Sequence, residues 1–307
     1  MIKHYTLLLL RGMGMGAADV VPGVSGGTIA FITGIYEELV NSIRQINLEA
    51  LKLFFTGRWK SFWKHINGSF LLTVFAGVFI SVLSLAKILE YLLEHQPVLI
   101  WSFFFGLIMA SSYVVARKIA SWNFSRVVAL AGGIAAAFYI TSVTPATTTD
   151  AAWFILLSGG LASCAMILPG ISGSFILLLL GKYEFALHAV NERIILDLVL
   201  LGSGAIVGLV LFANVLSWLL KKYHEGTIAV LVGFMIGSLN KIWPWKETLS
   251  TIVVDDEVKP LVEKNILPSL GDADHHFWMA LLMACTGIAV IVLIEVVLAK
   301  RPSKALS

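Results

Sequence analysis

Ala18-Asp19-Val20-Val21-Pro22-Gly23-Val24-Ser25-Gly26-Gly27-Thr28 is matched 147 residues later by Ala165-Met166-Ile167-Leu168-Pro169-Gly170-Ile171-Ser172-Gly173-Ser174. The same shift carries Gly34 to Gly181, Tyr36 to Tyr183 and Glu37 to Glu184 without a gap. Proline has no amide hydrogen and disfavours helix in the residue before it. Glycine after it accepts whatever backbone a sharp turn needs. Each copy therefore reads as two helical arms joined by a break. The arms of the first span residues 3–40 and those of the second 151–184.

The sequence around the breaks is that of a membrane protein. Of 307 residues, 58% are hydrophobic and 13% charged, and the mean hydropathy is +0.88. Soluble domains run at about 45–50% apolar and about 25% charged. Cys164 and Cys285 lie in apolar segments without metal spacing and are expected to be buried free thiols. Lys3 before the run Tyr5–Leu10 resembles a signal peptide, but the run is short and Arg11 interrupts it, so it reads as mature sequence.

Between the motifs the chain divides into two halves of one membrane domain, 1–145 and 146–307. In the first, the hairpin 3–40 precedes a basic segment, 41–66. There Arg44, Lys52, Arg58, Lys60 and Lys64 interleave with Leu51, Phe54, Phe55, Trp59, Phe62 and Trp63, as in a helix lying on a membrane surface. Spans are expected at about 69–93, 98–116 and 126–143. In the second half the hairpin 151–184 is followed by spans at about 195–220, 226–241 and 276–298, since about 20 apolar residues cross a bilayer. A polar, acidic loop is expected at 242–275. Gly77, Gly106 and Ser111 align with Gly204, Gly233 and Ser238 at a shift of 127. The fold class is thus an all-α polytopic membrane protein of two repeats, each a re-entrant hairpin plus three spans. An odd number of spans per repeat inverts one against the other. Lys and Arg distribution places 41–66, Arg117-Lys118, Lys221-Lys222 and both termini on the cytoplasmic side.

The breaks carry the chemistry. After each, a new helix begins with unpaired amides and a positive dipole end. Irregular backbone at membrane depth survives only where it is buried in protein or lines a cavity, as at transporter midplane sites. Pro22, Gly23, Ser25, Gly26, Gly27 and Thr28, with Pro169, Gly170, Ser172, Gly173 and Ser174, form a candidate anion site of phosphate type. The alternative is that small residues serve close packing and the hydroxyls cap their own helices. Asp19, Glu37 and Glu184 are candidates for coupling or gating, since charge in a membrane is costly. Arg11, Arg117 and Lys182 are candidates for attracting an anionic head group, although Arg11 also reads as snorkelling and Arg117 as obeying the positive-inside rule. No metal quartet, nucleotide loop or nucleophile–base pair is evident.

Asp19 to Glu37 and Leu168 to Glu184 resemble the paired motifs of the bacterial undecaprenyl-phosphate (polyprenyl-phosphate) translocases, long grouped only as a domain of unknown function. The similarity extends to length and order of spans. It implies recycling of a lipid carrier monophosphate from the outer to the inner leaflet of the bacterial cytoplasmic membrane, for peptidoglycan and other envelope polymers. It implies a membrane lipid as partner, no nucleic acid, no cofactor and no enzymatic activity. Coupling to H+ or Na+ is an expectation resting on Asp19 and the repeated Glu. The rival readings are a transporter or channel for a small soluble anion and a lipid-phosphate enzyme, the latter lacking a positioned base.

Overall fold

The first break separates α1 (Ile2–Val20) from α2 (Gly26–Ile32), and α3 (Tyr36–Arg44) follows. The computed structural model describes residues 2–21, 24–254, 257–268 and 276–299. Pro22, Gly23, Asp255, Asp256, Asp272, Asp274, His275 and the basic residues from Lys300 onward lie outside them. Two short helices, α4 (Leu48–Phe55) and α5 (Trp59–His65), occupy the basic segment. Then come α6 (Gly68–His95), α7 (Pro97–Ala116) and α8 (Phe124–Ser142). The order returns as α9 (Ala152–Ile167), α10 (Gly173–Leu179), α11 (Tyr183–Asn191), α12 (Ile195–Lys222), α13 (His224–Ser238) and α14 (Phe277–Ala299).

Among the described residues, five helices, α6, α7, α8, α12 and α14, are long and apolar enough to cross a membrane. The pair α10–α11, bent by 109° at its break, would make a sixth if it counts as one span. α13 has 15 residues, about 22 Å of helix against a hydrocarbon core of about 30 Å. The span expected at 226–241 is therefore shorter than a full crossing. Leu83, Tyr139, Leu211 and Leu282 lie exposed on four of the long helices. A helix apolar on its outer face belongs in lipid, and the chain is a multi-pass membrane protein.

Two expectations are corrected. The 242–275 stretch is not simply a loop: β1 (Lys246–Val254) and β2 (Glu257–Asn265) pair antiparallel, Lys246 opposite Asn265. β1 is rich in β-branched residues (Thr248, Thr251, Ile252, Val253, Val254), which suit a pleated strand. Cys285 is exposed on α14 rather than buried, and Cys164 is half-buried with its Sγ 3.5 Å from the Gly208 carbonyl.

The long helices pair in two ways. α1 packs on α6 and α9 on α12, each within one half. α7 packs on α14 and α8 on α13, each across the halves. Glycines set the crossings, because a Cβ would run into facing backbone. Gly12 faces the Val74 carbonyl and Gly77 that of Leu9; Gly159 faces that of Leu201 and Gly204 that of Leu156. Across the halves, Gly106 faces Ala284 and Gly287 faces Phe103, matched by Gly233 on Leu130 and Gly133 on Val230. Small residues allowing backbones to touch are the usual membrane solution, since lipid gives helices no hydrophobic reason to associate.

Candidate functional site

At the first break the helix start is already occupied by the protein's own groups. Ser25 takes the N-cap position of α2 in extended conformation, and its Oγ accepts from Gly27 N at 3.1 Å. Asp19, on the last turn of α1, accepts from Gly26 N through Oδ1 at 2.6 Å. A Cβ on Gly26 would strike that carboxylate. Two of the amides that a helix N-terminus leaves unpaired are thus satisfied, one by a charge.

The second break is built differently. Gly170 has φ +91°, which a side chain would strain, and a Cβ there would also meet the Ser238 hydroxyl and the Phe234 carbonyl. Ser172 holds the N-cap position of α10 but its hydroxyl makes no capping bond. It lies instead 2.7 Å from the Ser174 hydroxyl. Asp19 has no carboxylate counterpart here, because Met166 stands in its place.

The two breaks meet. Ser25 Oγ donates to the Met166 carbonyl at 3.2 Å, and Tyr36 OH donates to that of Ile167 at 3.1 Å. Gly170 N donates to Thr28 Oγ1 at 3.1 Å. A Cβ on Gly27 would press on the Ile167 carbonyl. Ser25 and Thr28 are fully buried and Ser172 nearly so. The first copy spends its hydroxyls on this seam, while Ser172 and Ser174 bond to each other.

Beyond the seam, α10 returns toward the origin of α9. Ala146 N donates to the Leu179 carbonyl at 3.0 Å and Thr148 Oγ1 to that of Leu180 at 2.5 Å. Lys182, 1% exposed, reaches Asp150 at 2.5 Å and the Thr148 carbonyl at 3.3 Å, between the rings of Phe154 and Phe185. The lysine singled out for head-group attraction is engaged in closing this hairpin.

The remaining candidates lie away from the seam. Glu37 pairs with His224 at 3.0 Å, and Glu184 is exposed on α11. Arg11 is half-buried on α1. Arg117 lies 3.6 Å from Glu295. With Lys118, Thr33 and Gly34 they line a cavity of about 490 Å³ at the end of α2. Burial lowers the pKa of Lys118 from its ordinary value, against the opposing pull of Glu37 and Glu295. No cluster of metal-ligating side chains occurs among the described residues. Sequence reasoning missed Lys241, Lys246 and Glu263, which line a second cavity. The available signal was Lys241, a cation standing where the 127-residue shift finds Val114.

Two relatives are named as polyprenyl-phosphate transporters. That of Vibrio cholerae serotype O1 (strain ATCC 39315 / El Tor Inaba N16961) is 45% identical over 297 residues, 95% of this chain and 96% of its own. That of Staphylococcus aureus (strain NCTC 8325 / PS 47) is 32% identical over 259 residues, 77% of this chain and 85% of its own. No solved structure matches the chain. Residues 15–259 match the family model described as VCA0040-like, undecaprenyl phosphate translocase-like, and the chain belongs to that family.

Proposed function

We propose that the chain carries undecaprenyl phosphate from the outer to the inner leaflet of a bacterial cytoplasmic membrane, returning the lipid carrier to envelope polymer synthesis. The observation that carries this reading is the meeting of two Pro-Gly breaks inside a membrane protein, each opening a helix whose start bears hydroxyls. A phosphate monoester carries about 1.5–2 negative charges near neutral pH. Moving that charge through hydrocarbon is the barrier, and the apolar tail can stay in lipid. Helix starts with small side chains suit such a head group. Both relatives are named as transporters, and the reading is transport without chemistry on the lipid.

The α10 return beside the start of α9 supports a re-entrant hairpin, and the matched helix order supports two repeats of inverted topology. On this reading both termini face the cytoplasm, the first hairpin enters from that side and the second from outside. The bonds of Ser25, Thr28 and Tyr36 across the seam then form a gate that parts for the head group. Ser172 and Ser174, whose hydroxyls bond to each other among the described residues, supply its hydroxyl ligands. Inward movement draws on a proton or sodium gradient through Asp19; transport indifferent to both gradients would sink that coupling.

Leaflet-resolved uptake of undecaprenyl phosphate in liposomes tests the proposal. Ser172→Ala/Ser174→Ala should slow inward movement about tenfold, the loss of one or two hydrogen bonds to a charged group, with thermal unfolding unchanged. Unaltered transport by that variant would move the head-group site away from the seam. Flux of inorganic phosphate without lipid movement would favour a small-anion transporter instead.

A further inference from the structure

The second cavity lies at the C-terminal end of α8, where Thr141 and Ser142 line it. Its volume is about 230 Å³. Thr141, Lys241, Lys246, Glu263 and Asn265 line it, with Phe175 and Leu179 of α10. Lys241 and Lys246 both reach Glu263 Oε2, at 3.1 and 3.3 Å. The Lys246 side chain is 9% exposed and the other two about a fifth. Among the described residues, two cations sharing one carboxylate leave an excess of one positive charge in a sheltered space. Burying an unmatched charge is expensive, so the site is built for an additional anion. Aromatic faces hold the ammonium groups inward: Lys246 Nζ lies 4.4 Å from the centre of Trp101 and Lys241 Nζ 5.3 Å from that of Phe175. Phe175 directly follows Ser174, so one cation rests on the helix that starts at the second break.

The two cavities are counterparts. Ile32, Val114 and Glu295 line the first, and Leu179, Lys241 and Thr141 the second. These pairs are related by the shifts of 147, 127 and 154 residues that also relate the glycine crossings. Each cavity thus sits among the ends of a short helix, its neighbouring span and a span from the other half. Each holds two cations and one carboxylate. Yet the charged residues are not equivalents: Arg117, Lys118 and Glu295 serve one end, Lys241, Lys246 and Glu263 the other. The same charge set has been assembled from different positions, which duplication alone does not explain.

We infer that Lys241 and Lys246, with Glu263 between them, form a binding site for a phosphate monoester at the hairpin end of the molecule. The Arg117–Lys118–Glu295 cavity is its counterpart at the other end. The β1–β2 hairpin is the wall that completes the site, since it contributes Lys246 and Glu263. Trp243 Nε1 donating to the Ile266 carbonyl at 2.8 Å and Asn265 Nδ2 donating to that of Asn240 at 2.8 Å fasten it to the end of α13. The source of the phosphate as a lipid head group, rather than free phosphate, rests on the transport reading above. A head group would halt here, beside α10, before crossing the seam.

The test is equilibrium binding to the full chain in nanodiscs, with undecaprenyl phosphate and inorganic phosphate as separate probes. Lys241→Gln/Lys246→Gln should weaken lipid binding about tenfold or more, and Lys241→Arg/Lys246→Arg should restore it. If the double glutamine variant does not fold, Lys241→Gln alone, at the more exposed position, should still weaken binding severalfold. Unchanged lipid binding by a folded glutamine variant overturns this site and leaves the transport reading standing. Lysine-dependent binding of inorganic phosphate without lipid binding keeps the site and overturns the transport reading. Binding of neither probe by the wild-type chain overturns both.

Discussion

Asp19 does for α2 what a bound anion would do: it places a carboxylate on a free amide at the positive end of a helix. A charge-assisted cap of this kind contributes about 1–2 kcal/mol. Asp19→Ala should therefore lower the thermal unfolding temperature in detergent, and Asp19→Asn should do so by less than half as much. An alanine variant as stable as wild type would remove Asp19 from the cap. Lys246 gives a second expectation. Burial lowers its pKa to about 8, opposed by Glu263 and reinforced by Lys241. A phosphate ligand favours the charged amine, so its affinity should hold below about pH 8 and fall toward tenfold per unit above it. The phosphate stays a dianion across that window. Lys246→Arg should flatten the profile, and an unmodified profile in wild type would exclude Lys246 from the site. At this scale the breaks were legible, because Pro-Gly acts on its own backbone. The partners of Ser25 and Thr28 were not, because Met166 and Gly170 lie more than 140 residues away.

Helix crossings follow the same residue shifts as the paired motifs and spans. Gly77 and Gly204 touch equivalent carbonyls, those of Leu9 and Leu156. A methyl at either must push one backbone off another, and overpacking of that sort costs about 1–3 kcal/mol. Gly77→Ala and Gly204→Ala should destabilise the protein by similar amounts in detergent unfolding, while Gly132→Ala, with open space around it, should not. Equal stability of all three would deny that the crossings are tight. The long helices were legible to within about two residues, since uninterrupted apolar runs have few other uses. The β1–β2 hairpin was not. Its charged residues suggested a loop, and its strands alternate too irregularly, with register shifts near Ser250, to announce a sheet. Lys246 and Glu263, which line the second cavity, were hidden inside that misreading.

For the molecule as a whole, the proposed orientation puts the α7–α8 connection and the 143–150 stretch on opposite sides. With Cys164 and Cys285 replaced, a cysteine at Ser121 should react with an impermeant thiol reagent only from the cytoplasmic face, and one at Thr147 only from outside. Labelling from the same face would reject the topology. The exchange of helices between halves also bears on how the chain is made. α7 and α8 find their partners in α14 and α13, and 180 residues separate the starts of α7 and α14. At about 5–20 residues per second, synthesis leaves α7 without its neighbour for roughly ten to thirty seconds. During that time the glycine-bearing face at Gly106 stands open in the bilayer, and that at Gly133 for about half as long, until α13 follows. The first half is a waiting intermediate, and a truncated chain ending after α8 would present those faces to any other helix in the membrane.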